Sequence, residues 1–266
     1  MGNEMDNKIK VTSEVQDISE GVIELSKEYT VAKDNKLVQK AKIDLSEKEL
    51  KLIDWLISKI KPDDKELLQV NTSISEINTV LGFGSGGRNI KQTKEALLNL
   101  SNKGFWIESE DNSGIEITRW IDEVSLKYNG KAILKLHSKL APYLLQLAEK
   151  GNYTSYYLRT IISLKSKYSL LLYQLAKSGL HYGVIGGTVE EIQEYFGHKD
   201  LAWGTFNGRY LKKAIEEVNS KTDLHIDMLL GKNGRKIVRV EFRITKKIRK
   251  EVSGKIKVPM HNWLDA

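Results

Sequence analysis

The sequence predicts an α+β fold of two tandem winged-helix domains, mostly helical with small antiparallel sheets or hairpins. The main observation is an internal repeat, because Ser73–Gly82 aligns without a gap on Thr188–Gly197. A second match follows each copy, Arg88–Glu95 against Arg209–Glu216. Alternating apolar stretches with turn residues then follow in both copies, as in β-hairpins. Two helices, a third basic helix and a hairpin make up the order of a winged helix.

Composition limits the class of protein. The chain has 266 residues, 40% of them hydrophobic, which suits roughly two ordinary domains with packed cores. The absence of cysteine excludes disulfides, thiolate zinc sites and cysteine nucleophiles, and it predicts a cytoplasmic protein. No apolar run reaches the ~18 residues of a membrane span, and no secretory signal is expected at the start.

Charge is distributed unevenly along the chain. Residues 1–31 hold three Lys against seven acidic residues, a net charge of −4. Residues 198–250 hold fourteen Lys or Arg against six acidic residues, a net charge of +8, while the whole chain carries +7. A basic region of this kind suits a phosphate backbone or an anionic membrane surface, or it is a solvated lysine-rich surface.

These signals predict four segments. Gly151 and Asn152 mark the boundary between the repeated units. The segments are a mobile acidic tail, residues 1–30; a first winged helix for DNA contact and dimerisation, residues 31–150; a second winged helix as the main DNA reader, residues 151–250; and a loose tail, residues 251–266.

Helix start and stop signals order the first unit. Ser46–Glu49 and Ser73–Glu76 are capping boxes, in which Ser accepts from the N3 amide and Glu reaches back to the cap. The first box opens a helix that Pro62 ends, and the second opens a short helix that Gly82 ends. A glycine-rich loop then leads to a longer helix over residues 88–102.

Strands are predicted after this helix. The turns at Asn112–Gly114 and Asn129–Gly130 separate alternating apolar stretches, which form a sheet larger than one wing requires. A connecting helix is predicted over residues 140–150. The four apolar stretches begin at Phe105, Ile115, Val124 and Ala132.

The second unit repeats this order. Ser163–Tyr173 is predicted to form the first part of a helix that ends at Gly179. Thr188–Glu191 is a third capping box. The next loop, residues 198–208, is six residues longer than its first-copy counterpart, since its glycine and arginine lie 12 rather than 6 positions apart. A basic helix is predicted over residues 206–220, and two strands joined at Lys232–Gly234 form a basic wing.

The basic helix is amphipathic. Apolar residues at i, i+3, i+4 and i+7 bury one face, so its cations point away, where they can enter a major groove. Arg209 suits bidentate pairing with guanine, whereas Lys212 and Lys213 suit phosphates. The first copy is expected to carry fewer cations. The predicted DNA-binding residues are Arg88, Lys91, Gln92 and Lys94 in the first unit, and Lys199, Asn207, Arg209, Lys212, Lys213, Lys232, Asn233, Arg235 and Lys236 in the second.

Three stretches resemble a known family, the iteron-binding replication initiators of theta-replicating plasmids. Val31–Glu49 is similar to the family's Asn-x-Leu-x-x-Ala … Leu-Ser/Thr segment. Leu164–Leu175 is similar to its Leu-x-Ser-x-Tyr-Ser … Leu-Tyr-x-Leu helix, although leucine stands where members often carry Arg before the Leu-Tyr pair. Leu211–Asp223 is similar to its Leu-x-x-Ala-Ile-x-Glu-Ile-Asn-x-x-Thr-Asp segment.

The resemblance, which covers residues 30–250, implies a mechanism. Monomers would bind direct repeats in double-stranded origin DNA, each winged helix using one major-groove segment. Bound copies would help to open an AT-rich region and recruit host helicase and initiator proteins. Homodimers, formed through the N-terminal domain, would repress the protein's own gene. The resemblance implies no cofactor, no metal and no membrane partner.

Other readings remain open. Gly82–Gly87 satisfies G-x-G-x-x-G, but a dinucleotide site needs a preceding strand, and a helix is predicted there. A rolling-circle nuclease needs a nucleophilic Tyr and a His-x-His pair; Tyr156 and Tyr157 are available, but the five histidines are scattered. The chain also lacks a P-loop motif, so it is not expected to be an ATPase or a helicase. We expect no enzymatic activity of this chain. A dimeric winged-helix transcriptional regulator is the main alternative.

Overall fold

The computed structural model describes residues 29–41, 44–61, 64–109, 111 and 113–247. The predicted acidic tail, apart from its last two residues, and the predicted tail at 251–266 lie outside the described residues.

The first half of the described chain alternates short helices with short antiparallel strands. Its elements are β1 (Thr30–Asp34), α1 (Asn35–Gln39), α2 (Glu47–Ile57), β2 (Val70–Ser73), α3 (Ile74–Val80), α4 (Gly87–Asn102), β3 (Gly104–Glu108), β4 (Ile115–Arg119), β5 (Ile121–Leu126), β6 (Lys131–Leu136), a 3-10 turn (Ser138–Leu140), α5 (Ala141–Leu144) and α6 (Leu147–Lys150).

The second half has longer helices and a long two-stranded ribbon. Its elements are β7 (Tyr153–Tyr157), α7 (Leu158–Ser163), α8 (Lys167–Gly179), a 3-10 turn (Leu180–Tyr182), β8 (Val184–Thr188), α9 (Val189–Tyr195), α10 (Trp203–Phe206), a π-helical turn (Asn207–Leu211), α11 (Lys212–Lys221), β9 (Leu224–Asn233) and β10 (Lys236–Lys246).

The repeat in the sequence is a repeat in the fold. The described chain has two three-stranded antiparallel sheets, with strand orders β2-β6-β5 and β8-β10-β9. In each unit a strand leads into a short helix, a longer helix follows, and a hairpin returns to pair with that strand. This is the winged-helix order that the sequence predicts, and the two tandem domains are confirmed.

The prediction of one enlarged sheet in the first unit is wrong. Strands β3 and β4 pair only with each other in the described chain, as a separate hairpin between α4 and the wing β5–β6. The hairpin follows α4 after a single residue, Lys103. Alternation of apolar residues identifies strands but does not say which strands pair, because pairing depends on the path of the whole chain.

The capping boxes are confirmed at two of three positions. Ser46 and Thr188 accept from the amides of Glu49 and Glu191, and those carboxylates reach back to the cap amides. Ser73 accepts from the amide three residues on, but the Glu at that position instead accepts a hydrogen bond from the Thr72 hydroxyl, at 2.9 Å. The neighbouring strand residue therefore replaces the second half of the box.

Both short helices end in the same way. Gly82 and Gly197 adopt φ of 68° and 74°, the left-handed conformation that glycine accepts without strain. The next amide then bonds back to the carbonyl of Asn78 in the first copy and of Gln193 in the second, at 2.8 and 2.7 Å. These two residues occupy equivalent positions and are both buried. The glycine-rich loop therefore follows a helix, as the sequence predicts.

The segment predicted as one connecting helix over 140–150 is two short helices. The break lies at Leu145 and Gln146, and Gln146 has a φ of 53°, which no regular helix contains. The chain then forms β7, which the sequence did not reveal and which pairs antiparallel with β1. This pairing joins residues 153–157 to the first unit, while the domain boundary at 150 stays a prediction.

A buried polar cluster lies where the two units meet. The ammonium of Lys33, on β1, is 2.5 Å from a carboxylate oxygen of Asp54, on α2, and both side chains are buried. Gln174, on α8, accepts from this ammonium and donates to the same carboxylate, both at 3.1 Å. The hydroxyl of Tyr156, on β7, also points at Asp54. Four elements therefore share one network, inside a hydrophobic core that includes residues from both units.

Candidate nucleic-acid interface

The basic helix of the second unit is longer than predicted. It begins at Trp203 rather than near residue 206 and runs through a π-helical turn at Asn207–Leu211 into α11. A π turn adds one residue to a helical turn and shifts the faces of the helix on either side. Arg209 lies inside this turn, so its direction differs from the one that a regular helix would give it.

The apolar face packs as predicted. Of the four residues predicted on this face, Leu211, Ala214 and Val218 are buried, and Ile215 is half-buried against the same core. Arg209, Lys212 and Lys213 are exposed, and none of these three cations forms an ion pair within the described residues. The helix therefore presents an unneutralised positive face, which is what a phosphate backbone attracts.

An aromatic cluster supports the start of this helix. The His198 ring stacks on Tyr210 with centroids 4.4 Å apart, and its Nε2 lies 2.6 Å from the Tyr168 hydroxyl. Tyr168 in turn contacts Tyr210 at 4.6 Å. Phe206 packs beneath these rings and is fully buried. The longer loop of the second copy is thus held by rings against α8 and the basic helix.

Two predicted contact residues lie in or beside this loop. Lys199 is exposed, where a phosphate can reach it. Asn207 is only half-exposed, and its side-chain oxygen is buried without a hydrogen-bond partner among the described residues. The structure therefore keeps Lys199 available at the surface and places Asn207 mostly within the π turn.

The wing of the second unit is a long basic ribbon. Strands β9 and β10 have 10 and 11 residues, and Gly234 makes the turn with a φ of 59°. A strand of this length extends on the order of 30 Å, so the tip lies far from the core. The four predicted tip residues are all exposed: Lys232, Asn233, Arg235 and Lys236.

The equivalent helix of the first unit, α4, also presents cations. Arg88, Lys91 and Lys94 are exposed, three cations against the four exposed cations of the second helix, Arg209, Lys212, Lys213 and Lys221, so the first helix carries fewer cations, as expected. Each helix has one cation paired with a carboxylate one turn away: Lys91 lies 3.9 Å from Glu95, and Lys221 lies 2.6 Å from Glu217. Gln92 is half-buried and accepts a hydrogen bond from the Lys48 ammonium at 3.3 Å.

The structure adds a surface that the residue predictions omit. The first wing, β5–β6, turns at residues 127–130 and carries Lys127, Tyr128 and Lys131 at its exposed tip. The Asn129–Gly130 turn was predicted, but its position relative to α4 was not. The internal repeat contains the information needed to predict this basic tip, since the matching hairpin of the second unit also has a basic tip.

We expect His198 to titrate below the ordinary range of histidine. Burial within the aromatic cluster, with a smaller contribution from Lys167, lowers the pKa of His198. A depressed pKa means that folding favours the neutral ring, so its stabilising contribution is complete above the unfolded pKa, about 6.5, and is lost as pH falls through the folded value. NMR titration of the ring proton checks this. A titration midpoint above the unfolded pKa would contradict the prediction. Tyr168→Phe removes the hydroxyl that faces His198 and is the matched control, which separates the effect of this hydrogen bond from that of burial.

Comparison with known proteins gives two family matches. Residues 30–177 match the family described as "Initiator Replication protein, WH1". Residues 188–244 match the family described as "Initiator Rep protein, WH2". A search of curated protein sequences gives no match.

One solved structure shares the fold. The chain is similar to the structure described as "Crystal structure of Pi initiator protein in complex with iteron DNA", with a TM-score of 0.67, 20% identity, and coverage of 83% of this chain and 98% of that chain. It also matches domains 2 and 3 of RctB in two structures. Their TM-scores are 0.47 and 0.40, both at 11% identity, with coverage of 75% and 76% of this chain and 80% and 81% of those chains.

Proposed function

This chain belongs to the family of initiator replication proteins, and from that premise we propose that it binds direct repeats in origin DNA as a monomer and starts plasmid replication there. The observation that supports this most is the pairing of two winged helices on one core. Each presents an exposed cationic helix and a basic wing. A single chain therefore has two surfaces with which to bind one DNA segment.

The two kinds of cation have different roles in this proposal. Arg209 has the planar, two-pronged group that pairs with O6 and N7 of guanine in the major groove. Lys212, Lys213 and the wing cations neutralise phosphates, which gives affinity without sequence information. Each neutralised phosphate contributes about one unit to the log–log slope of affinity against salt concentration. Binding should therefore weaken steeply as salt rises.

Footprinting on a candidate origin tests this function. The expected result is protection of each direct repeat, at protein concentrations at least about a hundred-fold below those needed on random duplex, because specific sites bind about 10³ to 10⁷ times more tightly than other DNA. Shuffling the repeat sequence at constant base composition provides the control. Equal protection of the shuffled and native repeats would refute the proposal.

We further propose that bound monomers help to open an AT-rich stretch and recruit host helicase and initiator proteins. Family membership supports this step. Recruitment needs protein surfaces other than those that contact the DNA. A transcriptional regulator with the same two winged helices would bind DNA but would not support replication. A plasmid that carries only the repeats and this gene distinguishes the two functions. It should be maintained in the host if the protein is an initiator and should be lost if the protein is only a regulator.

The first unit offers a surface for the homodimer that we propose as its repressing form. Trp106 and Ile117 face each other across the β3–β4 hairpin and are 48% and 57% exposed. Ile115, nearby on β4, is 67% exposed. A group of large apolar side chains at the surface is typical of a protein contact.

Trp106→Glu is therefore expected to raise the dissociation constant of the dimer by at least about ten-fold. The reason is that an aromatic anchor at an interface often contributes about 2 kcal/mol or more to binding. Sedimentation velocity over a range of concentrations measures this. Tyr128→Glu changes a fully exposed ring on the first wing, away from the hairpin, and is the control. An unchanged dissociation constant for Trp106→Glu would exclude this hairpin as the dimer contact.

We propose that the protein acts without cutting DNA. Tyr156 is buried against Asp54, and burial raises its pKa well above the ordinary value, which opposes formation of a nucleophile. Within the described residues no three His, Asp or Glu side chains are grouped to hold a metal ion. The described part likewise contains no helix long and apolar enough to cross a membrane.

Supercoiled plasmid with the repeats should accordingly remain supercoiled on incubation with the protein and Mg²⁺ or Mn²⁺. Gel electrophoresis after protease treatment measures nicked circles. A covalent adduct between a tyrosine and the DNA would show the opposite, that the protein is a nuclease, and Tyr157→Phe would then identify the attacking residue.

A further inference from the structure

A basic cleft lies on the seam between the two units. It has a volume of about 940 Å³ and is walled by β7, α7, α8, the end of α11 and the end of β10. Five cations line it against one carboxylate, an excess of four positive charges. These residues are Arg159, Lys177, Lys221, Lys246, Lys247 and Asp223.

Neighbouring acids neutralise only part of this charge. Asp223 is held by the Tyr173 hydroxyl at 2.9 Å and by the Lys177 ammonium at 3.3 Å. Lys221 pairs with Glu217 at 2.6 Å, just outside the cleft. Lys246 is exposed and forms no ion pair within the part of the chain that the structure describes. The cleft therefore retains a positive surface suited to an acidic ligand.

The cleft lies away from the tip of the second wing. Its wall includes Lys246 and Asp223, at the ends of the ribbon opposite the Gly234 turn. Because the ribbon is about 30 Å long, the wing tip and this cleft are well separated. The cleft also contains Thr30, the first residue of β1, so the chain reaches the cleft directly from its amino-terminal segment.

We propose that the acidic amino-terminal segment of this same chain, residues 4–28, docks in this cleft. The segment carries seven acids and three lysines, a net charge of −4, which is opposite in sign to the charge of the cleft. Glu28 is two positions from Thr30 in the cleft wall. Fifteen residues, 14–28, span up to about 50 Å when extended, which is ample reach. Tethering gives an effective concentration on the order of millimolar, so weak ion pairs suffice.

Apolar residues of the segment fit the same site. Val15, Ile18, Val22 and Leu25 alternate with the acids. The cleft offers them the ring of Tyr157, which is 49% exposed and lies 4.7 Å from the Arg159 guanidinium. An acidic segment with interspersed aliphatic groups therefore matches both the charge and the ring surface. The docked segment would join the two units and would reduce the positive charge available to non-specific DNA.

Zero-length carbodiimide cross-linking of the full chain tests the proposal. The reagent joins a carboxylate to an amine only when they are in contact, and mass spectrometry identifies the pair. Cross-links from acids at 14–28 to Lys221, Lys246 or Lys247 are expected, at yields at least about five-fold lower in 1 M salt, where the screening length is only about 3 Å. Mixing isotopically light and heavy protein shows whether each link lies within one chain.

Charge reversal supplies the matched comparison. Arg159→Glu with Lys246→Glu should reduce cross-linking to Lys221 several-fold, whereas Lys127→Glu with Lys131→Glu, on the first wing, should not change it. Circular dichroism establishes that both variants are folded. Yields to Lys221 no higher than those to Lys131 would overturn the proposal, as would links found only between different copies.

A second measurement separates the segment from DNA as the occupant. Neutralising the acids at 14–28 to Gln and Asn should leave the cleft lysines more reactive to acetylation, by about two-fold or more if the docked state is mostly populated. Origin duplex added to this variant should not protect them. Protection of Lys246 by DNA would assign the cleft to a phosphate backbone and overturn the proposal.

Discussion

Lys33→Ala is expected to destabilise the protein by about 3–5 kcal/mol, the usual effect of removing one partner from a buried ion pair. The reason is the carboxylate that remains. Asp54 is fully buried, and its ammonium partner lies 2.5 Å away. After the substitution it keeps, among the residues that the structure describes, only Tyr156 and Gln174 as donors. Urea unfolding followed by circular dichroism at pH 7 measures the loss.

The loss should depend on pH in a defined direction. Burial raises the pKa of Asp54, and Lys33 opposes that rise in the native protein. Without the lysine the pKa of Asp54 rises further, so folding favours the protonated acid. A raised folded pKa gives stability that is complete below the unfolded pKa, about 3.9, and lost as pH rises through the folded value. The variant should therefore be closest to the native protein in acid and furthest from it at neutral pH.

Two controls accompany this test. Lys91→Ala removes an exposed cation whose partner, Glu95, is also exposed, and it should change the free energy of unfolding by less than about 0.5 kcal/mol. Lys33→Met with Asp54→Leu replaces the pair by apolar groups and should recover much of the loss. A loss in Lys33→Ala as small as that in Lys91→Ala would show that Asp54 is reached by water.

Arg209→Ala with Lys212→Ala is expected to weaken binding to the direct repeats by about 30- to 1000-fold. The estimate combines about 1–3 kcal/mol for a bidentate arginine–guanine contact with about 1 kcal/mol for a phosphate contact, at 1.4 kcal/mol for each factor of ten. Fluorescence anisotropy at constant salt measures the change. Repeating the titration over a range of salt should show a slope reduced by about one unit.

The equivalent pair in the first unit provides the comparison. Arg88→Ala with Lys91→Ala should cost less, because Lys91 already shares its charge with Glu95 and the first wing is shorter. In the second unit, neither Arg209 nor Lys212 forms an ion pair within the described chain. Equal losses, or a larger loss in the first unit, would show that the second helix is not the main DNA reader.

The prediction from sequence succeeded where local chemistry decides the structure. The hydroxyl and Glu of Thr188–Glu191 satisfy amides within one helical turn, so the start of α9 is encoded in four residues. Gly197 supplies the left-handed residue that ends it. The apolar spacing from Leu211 to Val218 sets the buried face of α11 whatever its partners are.

The prediction failed where distant segments decide. Strand β7 forms because it meets β1 about 120 positions earlier in the chain, and no local pattern encodes that meeting. Ser73 lacks half of its box, and the carboxylate of Glu76 instead accepts from Thr72, which is held in β2. The π turn at Asn207–Leu211 contains Tyr210, which stacks on His198, and the helical period alone does not predict such a turn.

The sequence by itself determined the repeat, the order of elements in each winged helix and the family, because these depend on residues within one turn or one hairpin of each other. Only the tertiary structure decided which strands pair, which cations remain unpaired and how the units join. The buried contact of Lys33 with Asp54 and Gln174 shows why. The partners are separated by up to 141 positions, and the energy that selects them exists only once the core excludes water.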